Sequence, residues 1–166
     1  MFNPNVSGSV ARARHEDRTR AVNRGEKGAS GVADALAYVS LFSLCSKREL
    51  RLVAKLAKTR RMNSGATLVT EGESGGTMFV LLSGRATVYK GGKKLAERSA
   101  GDVVGELAVL TKSPRNATVT LASDAEVATI SRRDVYRLIE DAPGFARKLL
   151  EALSNRVQEL DRRAIT

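Results

Sequence analysis

The polarity pattern changes rhythm twice along the chain. Leu50, Val53, Ala54, Leu56 and Ala57 recur at spacings of three and four, one apolar face of a helix. Upstream, Asp34 suits the N-cap of a helical turn through Ala35, Leu36, Ala37, Tyr38 and Val39, so order is expected to begin there. From Thr59 the periodicity gives way to short stretches of Val, Thr and Leu bounded by glycine, which predict strands at 60–62, 67–70, 77–82, 85–90, 93–98, 116–121 and 125–130. Gly91-Gly92 marks a two-residue hairpin, because a type I′ turn needs positive φ at both positions. Helical spacing then returns. Ser131-Arg132-Arg133-Asp134 reads as a capping box before Val135, Leu138 and Ile139. Asp141-Ala142-Pro143 ends that helix and permits a hinge. A last helix carries Phe145, Leu149, Leu153, Val157 and Leu160, a stripe suited to packing on the strands, covering a ligand or pairing with a second copy. Short antiparallel strands in succession predict a small barrel or roll with helices at both ends.

Residues 1–33 are different: Gly, Ser, Asn and Arg with few large apolar side chains and no sustained period. Such a composition cannot offset chain-ordering entropy, so a disordered basic tail is expected, with one domain over 34–166. No run approaches the roughly 18 apolar residues of a membrane helix, and the first residues lack a secretory apolar core. A cytoplasmic protein is the expectation. Cys45 is the single cysteine, so no internal disulfide forms, and His15 stands alone in the tail, away from any metal set. The net charge of +10 divides into +3 for residues 1–33 and +7 for the rest, so the folded part is itself basic. That potential favours an anionic small ligand, nucleic acid or an acidic surface alike.

The chemistry concentrates in Gly105-Glu106-Leu107-Ala108-Val109-Leu110-Thr111-Lys112-Ser113-Pro114-Arg115-Asn116-Ala117-Thr118-Val119. A helix starting after Gly105 leaves the N–H groups of Glu106, Leu107 and Ala108 without intrahelical partners, and such a start attracts phosphate. If the chain folds back at Pro114, Arg115 closes the other side with charge-assisted bonds to phosphate oxygens. Glu106 would repel phosphate but accept a hydrogen bond from a nearby hydroxyl, such as a ribose 2′-OH. Phosphate and ribose hydroxyl together describe a nucleotide.

This segment resembles the phosphate-binding cassette of cyclic nucleotide-binding domains, found in kinase regulatory subunits, gated channels and catabolite-activator-type transcription factors. The family pattern runs Phe-Gly-Glu-hydrophobic-Ala and then Pro-Arg-small-Ala; here Val104 replaces the aromatic residue and Asn116 the small one. The resemblance extends over roughly Leu36 to Leu160, through Leu41-Phe42-Ser43, Lys47-Arg48-Glu49-Leu50, the strand ending in Ser83-Gly84, and turn glycines at Gly65, Gly72, Gly75, Gly84, Gly101 and Gly105. It implies a mainly β fold, an eight-stranded antiparallel β-roll of jelly-roll type, with N-terminal helices, a short cassette helix and two C-terminal helices. It implies a site of Val104, Gly105, Glu106, Leu107, Ala108, Arg115, Asn116 and Ala117, with Leu160, beside Val157 and Asp161, covering the base. Cyclic AMP is the expected ligand, with cyclic GMP left open by Asn116 and Thr118.

Other readings compete. Arg115 and Glu106 could form a buried structural ion pair that needs no ligand. The basic surface and tail could serve a nucleic-acid-binding or scaffold protein that no longer responds to ligand. Catalysis finds no support: there is no Ser-x-x-Lys, no metal-spaced carboxylate cluster and no phosphate loop of the Gly-Lys-Ser type. The expectation is a receptor or regulatory domain acting through a protein effector, without a helix-turn-helix for sequence-specific DNA, and able to pair through its last helix.

Overall fold

The computed structural model describes residues 29–165, the side chains of Ala29, Ser30, Arg156, Leu160, Arg163 and Ile165 excepted. Helix α1 (Ala29–Leu36), a 3-10 turn (Ser40–Phe42) and α2 (Lys47–Leu56) precede the strands. Strands β1 (Lys58–Met62), β2 (Thr67–Val69), β3 (Thr77–Leu81), β4 (Arg85–Lys90), β5 (Lys93–Ser99) and β6 (Val103–Val104) lead to helix α3 (Glu106–Thr111). After it come β7 (Thr118–Leu121), β8 (Ala125–Ser131), α4 (Arg132–Asp141) and α5 (Pro143–Ile165). The eight strands form two four-stranded sheets, ordered β1-β8-β3-β6 and β2-β7-β4-β5, with every pairing antiparallel. This is the expected roll flanked by helices.

Strand alternation divides the core in two. Side chains on a strand point to opposite faces in turn. From β3 and β8, Leu81, Ala125 and Val127 face the second sheet and join Leu68, Val88, Val119 and Leu121. Their neighbours Met78, Val80, Ala128 and Ile130 face the helices and meet Leu36, Val39, Phe42, Val53, Val135, Leu138 and Phe145. One sheet therefore serves two cores, and whatever moves the helices bears directly on the roll. Phe145 and Phe42 are fully buried and stack with ring centroids 5.7 Å apart.

Three expectations need correction. The first helix begins at Ala29, inside the segment read as tail, and Asp34 lies exposed within it rather than capping its start. Its apolar residues Ala33, Ala35 and Leu36 are buried against the core, and that packing overrides the capping preference. Strand β6 has only two residues, too few to show a period, yet it pairs with β3 at Phe79 and Val80. At Ser131 the hydroxyl accepts from the Asp134 N–H at 3.2 Å, which supplies one bond of a capping box. The complete box lies at Ser46 and Glu49. The Gly91-Gly92 turn forms as expected, with φ of 58° and 77°.

Glu49 does more than close that box. One carboxylate oxygen accepts from the Ser46 N–H at 2.6 Å and the other from the Gly144 N–H at 3.1 Å, so one side chain caps both α2 and α5. Gly144 is required there, since a Cβ would collide with the Leu44 carbonyl. These bonds, that from Ser46 foremost, hold the Glu49 carboxyl below its ordinary pKa against opposing desolvation. A lowered folded-state pKa means the contribution is complete above the ordinary carboxylate range and is lost as pH falls through the folded value. Glu49→Ala is expected to cost about 1–2 kcal/mol at neutral pH and to lose that penalty under acid. Gly144→Ala should cost roughly 1–3 kcal/mol through overpacking against main chain. Denaturant melts of both variants at neutral and acid pH test this; a Glu49→Ala penalty independent of pH would refute the shared cap.

Candidate functional site

Strand β6 ends at buried Val104, and Gly105, at φ 84°, turns the chain into α3. A left-handed residue at this point lets the helix start at once, beside the end of the strand. The N–H groups of Glu106, Leu107 and Ala108 donate to no protein acceptor among the described residues. They form a row of unused donors at the positive end of a short helix. The helix closes at Lys112, itself left-handed at φ 54°, which sends the chain back through Pro114.

That return places Arg115, which is 7 % exposed. Its Nη1 donates to the Gly105 carbonyl at 3.1 Å and its Nη2 to the Thr77 carbonyl at 2.8 Å. The backbone is fixed as firmly: Arg115 N–H donates to the Glu73 carbonyl, and the Arg115 carbonyl accepts from Gly72 N–H, both at 2.8 Å. Two glycines make room for the guanidinium. A Cβ on Gly105 would collide with Nη1, and one on Gly75 would collide with the whole group. Burial first, and then the positive charge of Arg132, push the Arg115 pKa below the usual arginine value.

The ion pair between Arg115 and Glu106 does not form. The three ion pairs among the described residues are Lys94–Glu97, Arg137–Asp141 and Lys148–Glu151, all on the outer surface. Carbonyl dipoles take two of the five guanidinium donors and leave the charge without a counter-ion among the described residues. Glu106 is half-buried at the start of α3, and its carboxylate has no partner among the described residues. Around this pair, Ala108 and Ala117 are buried, Leu107 is half-buried, and Asn116 is exposed with a free amide. Thr118 Oγ1 accepts from the Glu71 N–H at 2.9 Å, so that hydroxyl also ties the 70–76 loop to the cassette. The structure brings Val104 to Ala108 and Arg115 to Ala117 together. Of the expected cover, Val157 is 58 % exposed, Asp161 is exposed, and the side chain of Leu160 lies outside the described residues.

Sequence reasoning missed Arg132, which it placed in a capping box. Arg132 Nε donates to the Val109 carbonyl at 2.8 Å, and Nη2 donates to Ala108 at 3.2 Å and Gly75 at 3.4 Å. The Tyr136 hydroxyl reaches the Leu110 carbonyl at 3.5 Å. Two side chains from the first turns of α4 thus hold the last carbonyls of α3. A cation at a helix C-terminus complements its dipole, and here it also joins the cassette to the C-terminal helices. Among the described residues no His, Cys, Asp or Glu group could hold a metal ion, and no helix is long and apolar enough to cross a membrane.

The geometry agrees with the comparisons to known proteins. The model of the cyclic nucleotide-binding domain matches residues 59–142. A cAMP-dependent protein kinase regulatory subunit from Colletotrichum orbiculare is 32% identical over 131 residues, which are 77% of this chain and 34% of that protein. The chain therefore spans about a third of that relative's length. Cyclic-AMP-bound PfPKA-R superposes with a TM-score of 0.72 at 28% identity, covering 83% of this chain and 48% of that one. The regulatory domain of Toxoplasma gondii PKA, solved with cAMP, gives a TM-score of 0.68 at 26% identity over 77% of this chain and 50% of that one. With its roll, cassette and buried arginine, this chain belongs to the cyclic nucleotide-binding domain family.

Proposed function

We propose that the domain is a receptor for a 3′,5′-cyclic nucleotide, cyclic AMP in the first place, and carries no catalytic activity of its own. The observation that carries this reading is Arg115: a buried guanidinium held by carbonyls, lacking a carboxylate, and adjacent to three unused N–H donors. In this reading Arg115 and the N–H groups of Glu106 to Ala108 hold the cyclic phosphate, and the Glu106 carboxylate accepts from the ribose 2′-OH. Val104, Leu107 and Ala117 line the sugar side, and Leu160 covers the base. The relatives solved with cyclic AMP support this ligand. Cyclic GMP is the second reading, favoured by the free amide of Asn116, which can accept from a guanine amine.

The output follows from Arg132 and Tyr136. Drawing the cassette toward the ligand moves the carbonyls of α3, and these two side chains carry that movement to α4 and, across Asp141-Ala142-Pro143, to α5. Ligand shifts the equilibrium only as far as it binds one arrangement better. The effector is a protein, acting with this domain in the cytoplasm, and likeness to a cAMP-dependent protein kinase regulatory subunit supports a protein kinase in that role. A basic N-terminal segment and a ligand domain that begins with α1 at Ala29 divide these roles, with no recognition of a specific DNA operator. A second copy is the further partner: Leu150, Leu153, Val157, Leu160 and Ala164 follow a three-four spacing along α5, and Leu150 and Val157 are 65 % and 58 % exposed.

Calorimetry with cyclic AMP is expected to give one site per chain. Arg115→Ala should cost roughly 2–5 kcal/mol of binding by leaving the phosphate unpaired, and Glu106→Ala about 1.5–3 kcal/mol. Gly75→Ala, which touches no ligand, should also weaken binding by displacing the guanidinium. A melting temperature indifferent to millimolar cyclic nucleotide would overturn the receptor reading. For the output, amide exchange with and without cyclic AMP should show added protection over 132–163, lost in Arg132→Ala. Equal protection in both states would place the switch elsewhere. Sedimentation should show a dimer that dissociates in Leu150→Glu/Val157→Glu; a parent chain monomeric at 100 µM, about the concentration a weak pair needs, removes the pairing.

A further inference from the structure

The positive charge of the folded part is concentrated in one place. Between Lys47 and Arg61 seven of the eight charged side chains are cations: Lys47, Arg48, Arg51, Lys55, Lys58, Arg60 and Arg61. That segment carries +6 of the +7 found from residue 34 onward. All seven are exposed, and none is in an ion pair among the described residues. The single carboxylate, Glu49, is committed to the two helix caps. Glu126 stands opposite Arg61 in the strand register without pairing to it.

Six of these cations are more than a solvated helix face, because they continue onto an open sheet edge. Lys47, Arg51 and Lys55 step by four along one side of α2. One residue, Ala57, separates that helix from β1, the terminal strand of its sheet, paired with β8 on one side only. No main-chain group of Lys58–Met62 bonds outside the strand pairing save the Lys58 carbonyl, which accepts from Thr129 Oγ1 of β8. Lys58 and Arg60 project on one face of the strand and Arg61 on the other. Exposed cations keep such an edge from pairing with another copy of itself. The same arrangement selects a strand of opposite charge.

We infer that β1 is a docking edge for an acidic, extended segment of a partner protein, which adds as a strand beside Lys58–Met62 with its carboxylates over Lys58 and Arg60, on the face of Val127, and within the positive field of Arg61 and the α2 stripe. Main-chain bonds along the edge supply affinity, and the alternation of side chains supplies selectivity. The surface suits a peptide better than nucleic acid or a bilayer. From Lys47 to Met62 there is no aromatic side chain on which a base could stack, and Leu50, Leu52 and Leu56 pack against the core instead of projecting outward. The edge lies outside the cassette, so docking does not depend on the cyclic-nucleotide reading.

The test uses the full chain and a capped decapeptide of alternating Thr and Glu, whose carboxylates fall on one face when extended. The peptide is expected to bind, to protect the amides of residues 58–62 from exchange, and to bind at least tenfold more weakly to Lys58→Glu/Arg60→Glu. Lys47→Glu/Arg51→Glu, which leaves the strand untouched, should weaken it as well and keeps the test open if the first variant misfolds. N-methylation of alternate residues, which removes the peptide's donors on one edge, should abolish protection and affinity together. Equal binding of the methylated peptide would overturn strand addition. So would absence of binding, or a 16-base-pair DNA duplex that outcompetes the peptide at equal concentration.

Discussion

A guanidinium held out of water without a counter-ion is the constraint to which much of the site answers. Desolvating a charge costs several kcal/mol, and attraction returns that only where partners are close and well placed. For Arg115 the partners are dipoles: the carbonyls of Thr77 at the start of β3 and of Gly105 at the start of the cassette. Both elements must arrive at the correct height for the fork to bridge them. Gly75 and Gly105 must lack side chains for it to fit, and the paired bonds of Glu73 and Gly72 to Arg115 must hold its backbone. Carboxylate partners would have neutralised the site. Carbonyls position the cation and leave its charge available to an anion.

How much of this was legible in the sequence depended on chain distance. The cassette is local: Gly105, Glu106 and Arg115 fall within eleven residues, and their spacing carries helix start, turn and return. The partner of the arginine was not legible, since Thr77 lies 38 positions away and contributes only a main-chain carbonyl, which any residue has. Gly75 reads as an ordinary turn glycine although the reason for it is Arg115. Glu49 reads as a helix-start residue, while its second role is set by Gly144, 95 positions on. Strand β6 is too short for a period, and α1 begins early because Ala33, Ala35 and Leu36 find a core that local sequence cannot foresee.

The same geometry explains how a small site can act on a large element. The sheet bearing Met78, Val80, Ala128 and Ile130 forms the floor of the helical core, and the opposite faces of its strands form the roof of the roll interior. Packed interiors transmit displacement because they contain little free space. Arg132 adds a polar connection, spanning Gly75, Ala108 and Val109 from the first turn of α4. The cassette, the 70–76 loop and α4 therefore share one side chain, while Glu49 joins the N-terminal helices to the start of α5.

Net charge alone fails to identify a partner, and the placement of the charge shows why. Arg115 is buried and Arg132 half-buried, both aimed at carbonyls and set about one cassette. The cations from Lys47 to Arg61 are exposed and form no ion pair among the described residues. Salt at about 0.1 M screens exposed charges beyond a Debye length of roughly 10 Å but reaches withdrawn ones much less. Contacts made through the first group are governed by geometry and hold across ionic strength. Contacts made through the second are governed by long-range attraction and weaken with salt. A single basic domain thereby separates recognition of a small anion from recruitment of an acidic surface, and neither use of its positive charge competes with the other.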